Sequence, residues 1–250
     1  MPSCKSEAVI LQATDYAEFD KIVSCYTKHY GRIRGVAKGA KRSQRRFGGA
    51  LEPFTHNEVT FFEKEGRGLV RLEHCRIINT FPELTKEIKK IAYGNYLLEL
   101  VNTLTPERES HEEVFTLLLY FLNMLSEQTV REDLLRIFEI RLATLLGYQP
   151  QVMRCITCGS DYLPTEIYCF SVKKGGIVCA ACHQHNEAFP EISHGTIKIF
   201  QQVQQVNLEK VHRIHFSAAS HAEGKLILSR FLEYHIGRKP KSLEFIEHIS

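Results

Sequence analysis

Four cysteines restrict what this chain can fold into more than any other residues do. Cys155-x2-Cys158 and Cys179-x2-Cys182 are separated by twenty residues. Two intervening residues let both sulfurs of a pair turn to the same side of a tight knuckle. Two knuckles supply a tetrahedral four-sulfur site that suits Zn²⁺. Gly159 follows the first pair and Gly175-Gly176 precede the second, so the segment reads knuckle, strand, turn, strand, knuckle. A redox CxxC pair stands alone beside a βαβ pattern, which these surroundings do not offer. An iron–sulfur cluster also takes four thiolates, and spacing leaves it open. Zinc is favoured, as one structural ion per chain, because four thiolates leave no position for water. Cys25 and Cys75 fall on predicted strands and read as small core residues, Cys4 has no partner spacing, and Cys169 reads as a packed residue in mid-loop. His183 and His185 read as solvated neighbours of the last ligand.

The hydrophobic period divides the remainder. Apolar runs at 8–13, 21–27 and 30–37 precede an alternating segment, 57–63, in which Val59 and Phe61 share one face and Glu58 and Thr60 the other. A fifth run, 68–78, follows the turn-like Glu65-Gly66-Arg67-Gly68. Five short strands punctuated by Gly and Pro fit a small barrel, of which the OB-fold is the five-stranded case; a sandwich fragment or SH3-like barrel gives a similar pattern. Beyond Pro82 the period becomes 3.6, with Leu84, Ile88, Ile91, Leu98 and Val101 at helical spacing. Ser110 and Glu113 read as a capping box opening a helix that carries Val114, Leu117, Leu118, Phe121 and Leu125. A third helix spans 132–146 and stops at Gly147; two more are expected at 194–206 and 222–236. The fold class is α+β, with domains at 1–80 (barrel), 81–150 (helical), 151–190 (metal module) and 191–250 (helices packing with the helical domain).

Charge is distributed unevenly. From Lys21 to Leu51 there are nine Lys or Arg residues and no Asp or Glu, although the 250-residue chain carries a net charge of only +3. Dense local charge attracts polyanions, above all nucleic acid. An isolated cationic run is commonly just a solvated face. Here no acid within the run compensates it, glycines at 31, 35, 39, 48 and 49 would let a ligand approach the backbone, and Tyr26, Tyr30 and Phe47 would either stack bases or fill the barrel. Residues 38–46 read as an exposed, mobile loop suited to sequence-tolerant phosphate contacts. A second cluster, Arg230, Arg238, Lys239 and Lys241 with His235, either extends the track or complements helix dipoles.

Catalytic signatures are missing from the sequence: it has no Gly-rich phosphate loop, HExxH or GxSxG. The pairs Glu112/Glu113 and Glu132/Asp133 stand at helix starts, where the dipole favours acids. An enzyme is not indicated; a metal-dependent nucleic-acid-processing enzyme and an RNA-binding OB/zinc-ribbon module are the alternatives. No run approaches the ~18 apolar residues of a membrane span, and Met1–Ser6 offers no apolar signal core before Glu7. An intracellular protein is expected.

The stretch AVILQATDYAEFDKIV at 8–23, then Tyr26-Thr27, Gly31-Arg32-Ile33, the run GVAKGAKR at 35–42 and Leu51-Glu-Pro-Phe54 resemble the bacterial recombination mediator family RecO. Ile236-Gly-Arg238 followed by Lys241-Ser242-Leu243 is similar to that family's closing motif, and the cysteine quartet resembles its zinc-bearing members. The resemblance implies an N-terminal five-stranded OB-fold barrel followed by a helical domain with an inserted four-cysteine zinc module. It further implies binding of single- and double-stranded DNA, strand annealing, and RecA loading with RecR at gaps coated by single-stranded-DNA-binding protein, whose C-terminal tail is a partner. Cytoplasmic, nucleoid-associated placement follows. The DNA-contact role carries over to Arg32, Arg34, Lys38, Lys41, Arg42, Arg45 and Arg46, and the metal role to Cys155, Cys158, Cys179 and Cys182.

Overall fold

The computed structural model of the chain describes residues 3–63, 68–183 and 189–249. Residues 65–67 of the expected turn, and His185, lie outside these. Two compact units emerge: residues 1–130 together with 241–250, and residues 131–240. These units cut across the sequence boundaries expected near 80 and 150, because the first two long helices group with the barrel.

The first unit opens with β1 (Ser3–Tyr16), β2 (Asp20–Thr27), β3 (Gly31–Ala37), the one-turn helix α1 (Gln44–Phe47), β4 (His56–Phe62) and β5 (Val70–Asn79). The strands close in the order β1-β2-β3-β5-β4, with β1 paired to both β2 and β4. That is the five-stranded Greek-key closure of the OB-fold. The period-two pattern explains the closure. Ala8, Ile10, Val23, Cys25, Ile33, Val59, Phe61, Leu72 and Cys75 point into one core, to which α1 and its sequel add Phe47, Ala50 and Leu51. β1 can serve both neighbours because it is fourteen residues long and slips register between Ile10 and Gln12. The parallel β3–β5 pairing is short, covering only Gly35–Ala37 against Val70–Leu72.

After a 3₁₀ turn at Leu84–Lys86 come α2 (Ile88–Leu104) and α3 (Glu112–Glu127). Ile88 is 60% exposed, and the buried surface of α2 is carried instead by Tyr93, Tyr96, Leu97, Leu100 and their neighbours. The capping box at Ser110 does not form. α3 starts after His111 without a side-chain cap, and the Ser110 hydroxyl donates to the Lys28 carbonyl at 3.1 Å. Tertiary pairing outcompetes the local motif there.

The second unit holds α4 (Asp133–Leu145), a three-stranded sheet of β6 (Tyr168–Ser171), β7 (Gly176–Cys179) and β8 (Glu191–Ile192) in the order β7-β6-β8, then α5 (His194–Gln205) and α6 (Ala218–Ile236). Phe170 of β6 meets Phe231 of α6 edge-on at 6.1 Å. Ser193 and Ser217 cap α5 and α6 by accepting from the amides of Thr196 and Ser220, and Gly237, at φ 79°, ends α6. The final helix, α7 (Lys241–Ile249), follows the two expected at 194–206 and 222–236 within the helical 191–250 segment; it returns to the first unit and buries Leu243 and Ile246.

Candidate nucleic-acid face and metal centre

Acidic residues absent from the Lys21–Leu51 run reach it from elsewhere in the chain. Lys21 pairs with Glu52 at 3.1 Å, Lys28 with Glu112 at 3.2 Å, and Lys41 with Asp15 at 2.9 Å. Arg32 is more fully engaged: its Nε donates to the Thr105 carbonyl at 2.9 Å and its Nη1 meets Glu107 at 3.3 Å, leaving its side chain 16% exposed. Arg34 lies 4.0 Å from the same Glu107, with half of its side chain open to solvent.

Arg32 is held this way because residues 105–111 form a strap along β3. The Gly31–Arg34 half of β3 has no partner in β5, so its outer edge would be bare. The strap covers that edge: Arg108 N donates to Arg32 O at 2.9 Å, and Arg32 and Glu107 bridge in parallel. Gly31, at φ 62°, presses against the strap so closely that a Cβ there would lie 2.0 Å from Glu109 O. Gly35 likewise abuts Val70 and Leu72. The glycines of the run therefore serve internal packing and turns, apart from Gly49, which is at φ 75° and faces open space. Phe47 is buried in the barrel core, Tyr26 is buried on the opposite face of β2 with its hydroxyl donating to His111 O at 3.3 Å, and Tyr30 packs edge-on against Phe61 at 5.2 Å. All three aromatics are structural.

Residues 38–46 are pinned rather than a free loop. Lys41 N donates to Phe19 O, the amides of Arg42 and Ser43 donate to Gly39 O, and α1 anchors the segment through Phe47. The cations nevertheless project outward. Lys38, Arg42 and Arg45 are exposed, and Arg46 is half-buried, donating to Lys38 O at 2.7 Å and Ser43 Oγ at 3.1 Å. Among the described residues, none of these four meets a carboxylate. Arg42 lies over the Phe19 ring, with its guanidinium carbon 3.1 Å from the centroid. Lys21, Lys41, Gly48, Gly49 and Glu52 border a recess of about 290 Å³ beside them. Phe19, Tyr16 and Asp15 lie in the stretch at 8–23, where no spacing or motif gives them a functional role. Asp15 and Tyr16 end β1 and Phe19 sits in the β1–β2 turn, one of the two loops through which OB-folds grip ligands.

The second cationic cluster is divided. Arg230 lies on α6 and Arg238 follows its end, whereas Lys241 starts α7. His235 stacks on Tyr148 at 4.7 Å and meets Phe231 edge-on at 4.5 Å.

In the second unit the four predicted ligands converge. The sulfurs of Cys155, Cys158, Cys179 and Cys182 all lie within 4.8 Å of one another, with Cys158 and Cys179 3.9 Å apart. A tetrahedral zinc with ~2.3 Å bonds needs sulfurs about 3.8 Å apart. Both knuckles are closed by backbone bonds, Gly159 N to Cys155 O at 2.9 Å and Cys182 N to Cys179 O at 3.0 Å. The β6–β7 hairpin carries the second knuckle, turning at Gly175 with φ 72°. Cys169 lies on β6 rather than in a loop, and is buried. His183 packs its ring on Phe189 at 5.6 Å. The donor set calls for a cation. Hydrogen bonding from the Ser160 hydroxyl, 2.7 Å away, holds the Cys158 thiol down at about 6, while the sulfurs of Cys158 and Cys179 push Cys182 up to about 12. Four crowded thiolates carry mutually repelling charge, and a divalent metal removes that conflict. The residues fit such an ion.

No helix among the described residues is long and apolar enough to cross a membrane.

Comparison with known proteins agrees with these features. The family model described as recombination protein O N terminal matches residues 1–81, and the one described as recombination protein O C terminal matches residues 85–244. The DNA repair protein RecO of Syntrophus aciditrophicus is 36% identical over 248 residues, covering 98% of this chain and 95% of that protein. The RecO of Pelotomaculum thermopropionicum is 35% identical, covering 97% and 93%, and that of Desulfosudis oleivorans 33%, covering 100% and 99%.

Proposed function

This chain belongs to the recombination protein O family, and we propose on that premise that it is a recombination mediator in DNA repair that binds and anneals DNA through the barrel face around residues 38–46. One observation carries the assignment of the face: Lys38, Arg42, Arg45 and Arg46 project from a barrel whose other run cations are ion-paired, and no carboxylate among the described residues meets them. Lys41 joins them, since an exposed pair such as Lys41–Asp15 is worth only about 0–1 kcal/mol and yields to a phosphate. Arg34 contributes at the margin. Arg32 acts through the strap and the barrel it closes.

Annealing then follows from charge. A cationic face lets two polyanionic strands approach, with no bond made or broken and no nucleotide hydrolysed, so the protein acts without being an enzyme. Cys155, Cys158, Cys179 and Cys182 hold one zinc ion, which fixes the local fold of the second unit. Family membership supports RecR and the C-terminal tail of single-stranded-DNA-binding protein as partners, RecA loading as the outcome, and the bacterial cytoplasm, at the nucleoid, as the location.

The test is a salt-titrated binding and annealing assay without ATP. Five phosphate contacts give a slope of about −3.5 in log K against log salt for single strands. Raising salt from 50 to 200 mM should therefore weaken binding by roughly 100-fold. Lys38→Glu/Lys41→Glu/Arg42→Glu should abolish binding and annealing with its unfolding temperature preserved. Wild-type affinity in that variant would refute the face.

A further inference from the structure

The turn joining β1 to β2 sets the Phe19 ring against the exposed cation Arg42 and leaves the Tyr16 ring at its edge open to solvent. Tyr16 ends β1 in register with Asp20, which leaves the three-residue turn Ala17-Glu18-Phe19. Three contacts lock this turn to the 38–46 segment. Lys41 N donates to Phe19 O at 3.1 Å, Gly39 N donates to Asp20 Oδ1 at 2.8 Å, and Lys41 Nζ pairs with Asp15 at 2.9 Å. Arg42 is thereby laid over the Phe19 ring, yet the residue stays exposed. A guanidinium held against a ring on one side presents its other side to solvent as a flat, charged surface. Nucleobases stack well on such a plane. Tyr16 is 52% exposed, with no ring or hydrogen-bond partner among the described residues. Among the aromatics of the cationic run, Tyr26 and Phe47 are buried and Tyr30 packs against Phe61, whereas Tyr16 and Phe19 belong to the turn that is bonded to residues 38–46.

We infer that Tyr16 and the Phe19–Arg42 stack form a platform for the unpaired bases of single-stranded DNA. The inference rests on the reading that the neighbouring cations hold DNA phosphates, and it adds strand selectivity to that reading. Bases of a duplex are already stacked on one another and present no face to the platform. A single strand offers both its phosphates and its π-faces, so the barrel grips it more tightly than phosphate contacts alone would allow.

The experiment compares the full chain binding a labelled oligo-dT with an abasic oligomer of the same length, which keeps the phosphates and lacks the bases. Wild type should prefer dT by at least about 25-fold, about 5-fold or more from each of two stacked bases. Tyr16→Ala/Phe19→Leu should lower its dT affinity to its own abasic affinity while keeping the steep salt dependence. Tyr16→Ala alone removes an exposed ring without threatening the fold, and should lose at least about 5-fold of the preference. Equal wild-type affinity for the two oligomers, or a preference that survives in the double variant, overturns the platform. A shallow salt dependence with the dT preference intact would instead overturn the phosphate face and leave the platform standing.

Discussion

Replacing Gly31 by alanine probes the strap that closes the barrel edge. Two costs add at this position. A left-handed φ of 62° is strained for alanine by roughly 1–2 kcal/mol. The new Cβ would also lie 2.0 Å from Glu109 O, which must retreat by about 1.4 Å to reach ordinary contact. That retreat breaks the 2.9 Å bond from Arg108 N to Arg32 O, the 2.9 Å bond from Arg32 Nε to Thr105 O, and the 3.1 Å bond from Ser110 Oγ to Lys28 O. At about 0.5–1.5 kcal/mol for each of these bonds, the total loss is about 3–6 kcal/mol. Gly49→Ala is the control: φ is 75°, but nothing lies within 4 Å of the added Cβ, so only about 1–2 kcal/mol should be lost. Urea unfolding followed by circular dichroism gives both values, and hydrogen exchange at the Arg108 amide reports the strap directly. Equal losses in the two variants, or a protected Arg108 amide in Gly31→Ala, would refute the claim that the strap is wedged against this glycine.

Two further outcomes concern the metal and pH. Elemental analysis should find about one zinc per chain, and Cys155→Ser/Cys179→Ser or a strong chelator should remove it and unfold the β6–β7 knuckle region, as read by limited proteolysis; a metal-free sample resisting protease like wild type would contradict a structural role. Burial holds His56 and His221 below their ordinary 6.5 despite the neighbouring carboxylates of Glu7 and Glu132. The unfolded chain therefore takes up these protons first, so stability is full above about pH 6.5 and declines as pH falls below it, where carboxylates are still ionised. Melting temperatures between pH 7.5 and 5.5 should decrease with acidification, and an increase would reverse the assignment.

Legibility in the sequence depended on how local the cause was. The cysteine quartet, the five strands and the interior helices were readable because their signals span a few residues: a CxxC knuckle, a period of two, a period of 3.6. The Lys21–Leu51 run was readable as a charge but not as a surface. Its countercharges come from Asp15, Glu52, Glu107 and Glu112, and only the barrel and strap bring Glu107 to Arg32 or Glu112 to Lys28. The capping box at Ser110 failed for the same reason, since Lys28 O in the turn between β2 and β3 claims that hydroxyl. Tyr26 and Phe47 read as base-stacking candidates from their neighbours in sequence, yet the α1 anchor turns Phe47 into the barrel core and the segment around His111 covers Tyr26 on the other face of β2. Phe19 carried little signal: a single aromatic in a three-residue turn acquires meaning only when Arg42 is folded onto it.

Helix α7 has a consequence for how the protein is made. It is anchored on α2 through Glu99, whose carboxylate accepts from the amides of Lys241 and Ser242 at 3.1 and 2.8 Å and from the Ser242 hydroxyl at 2.6 Å. The partners lie 142 and 143 positions apart, with all of residues 131–240 threaded between them. On the ribosome, the barrel and α2 emerge early, but the surface that Leu243 and Ile246 cover has to wait until everything after it has been translated. The second unit has its full sequence first. The earliest-made unit is therefore the last to be sealed, and a nascent chain halted before residue 241 leaves that apolar patch of α2 uncovered, where chaperones and proteases recognise unfinished protein.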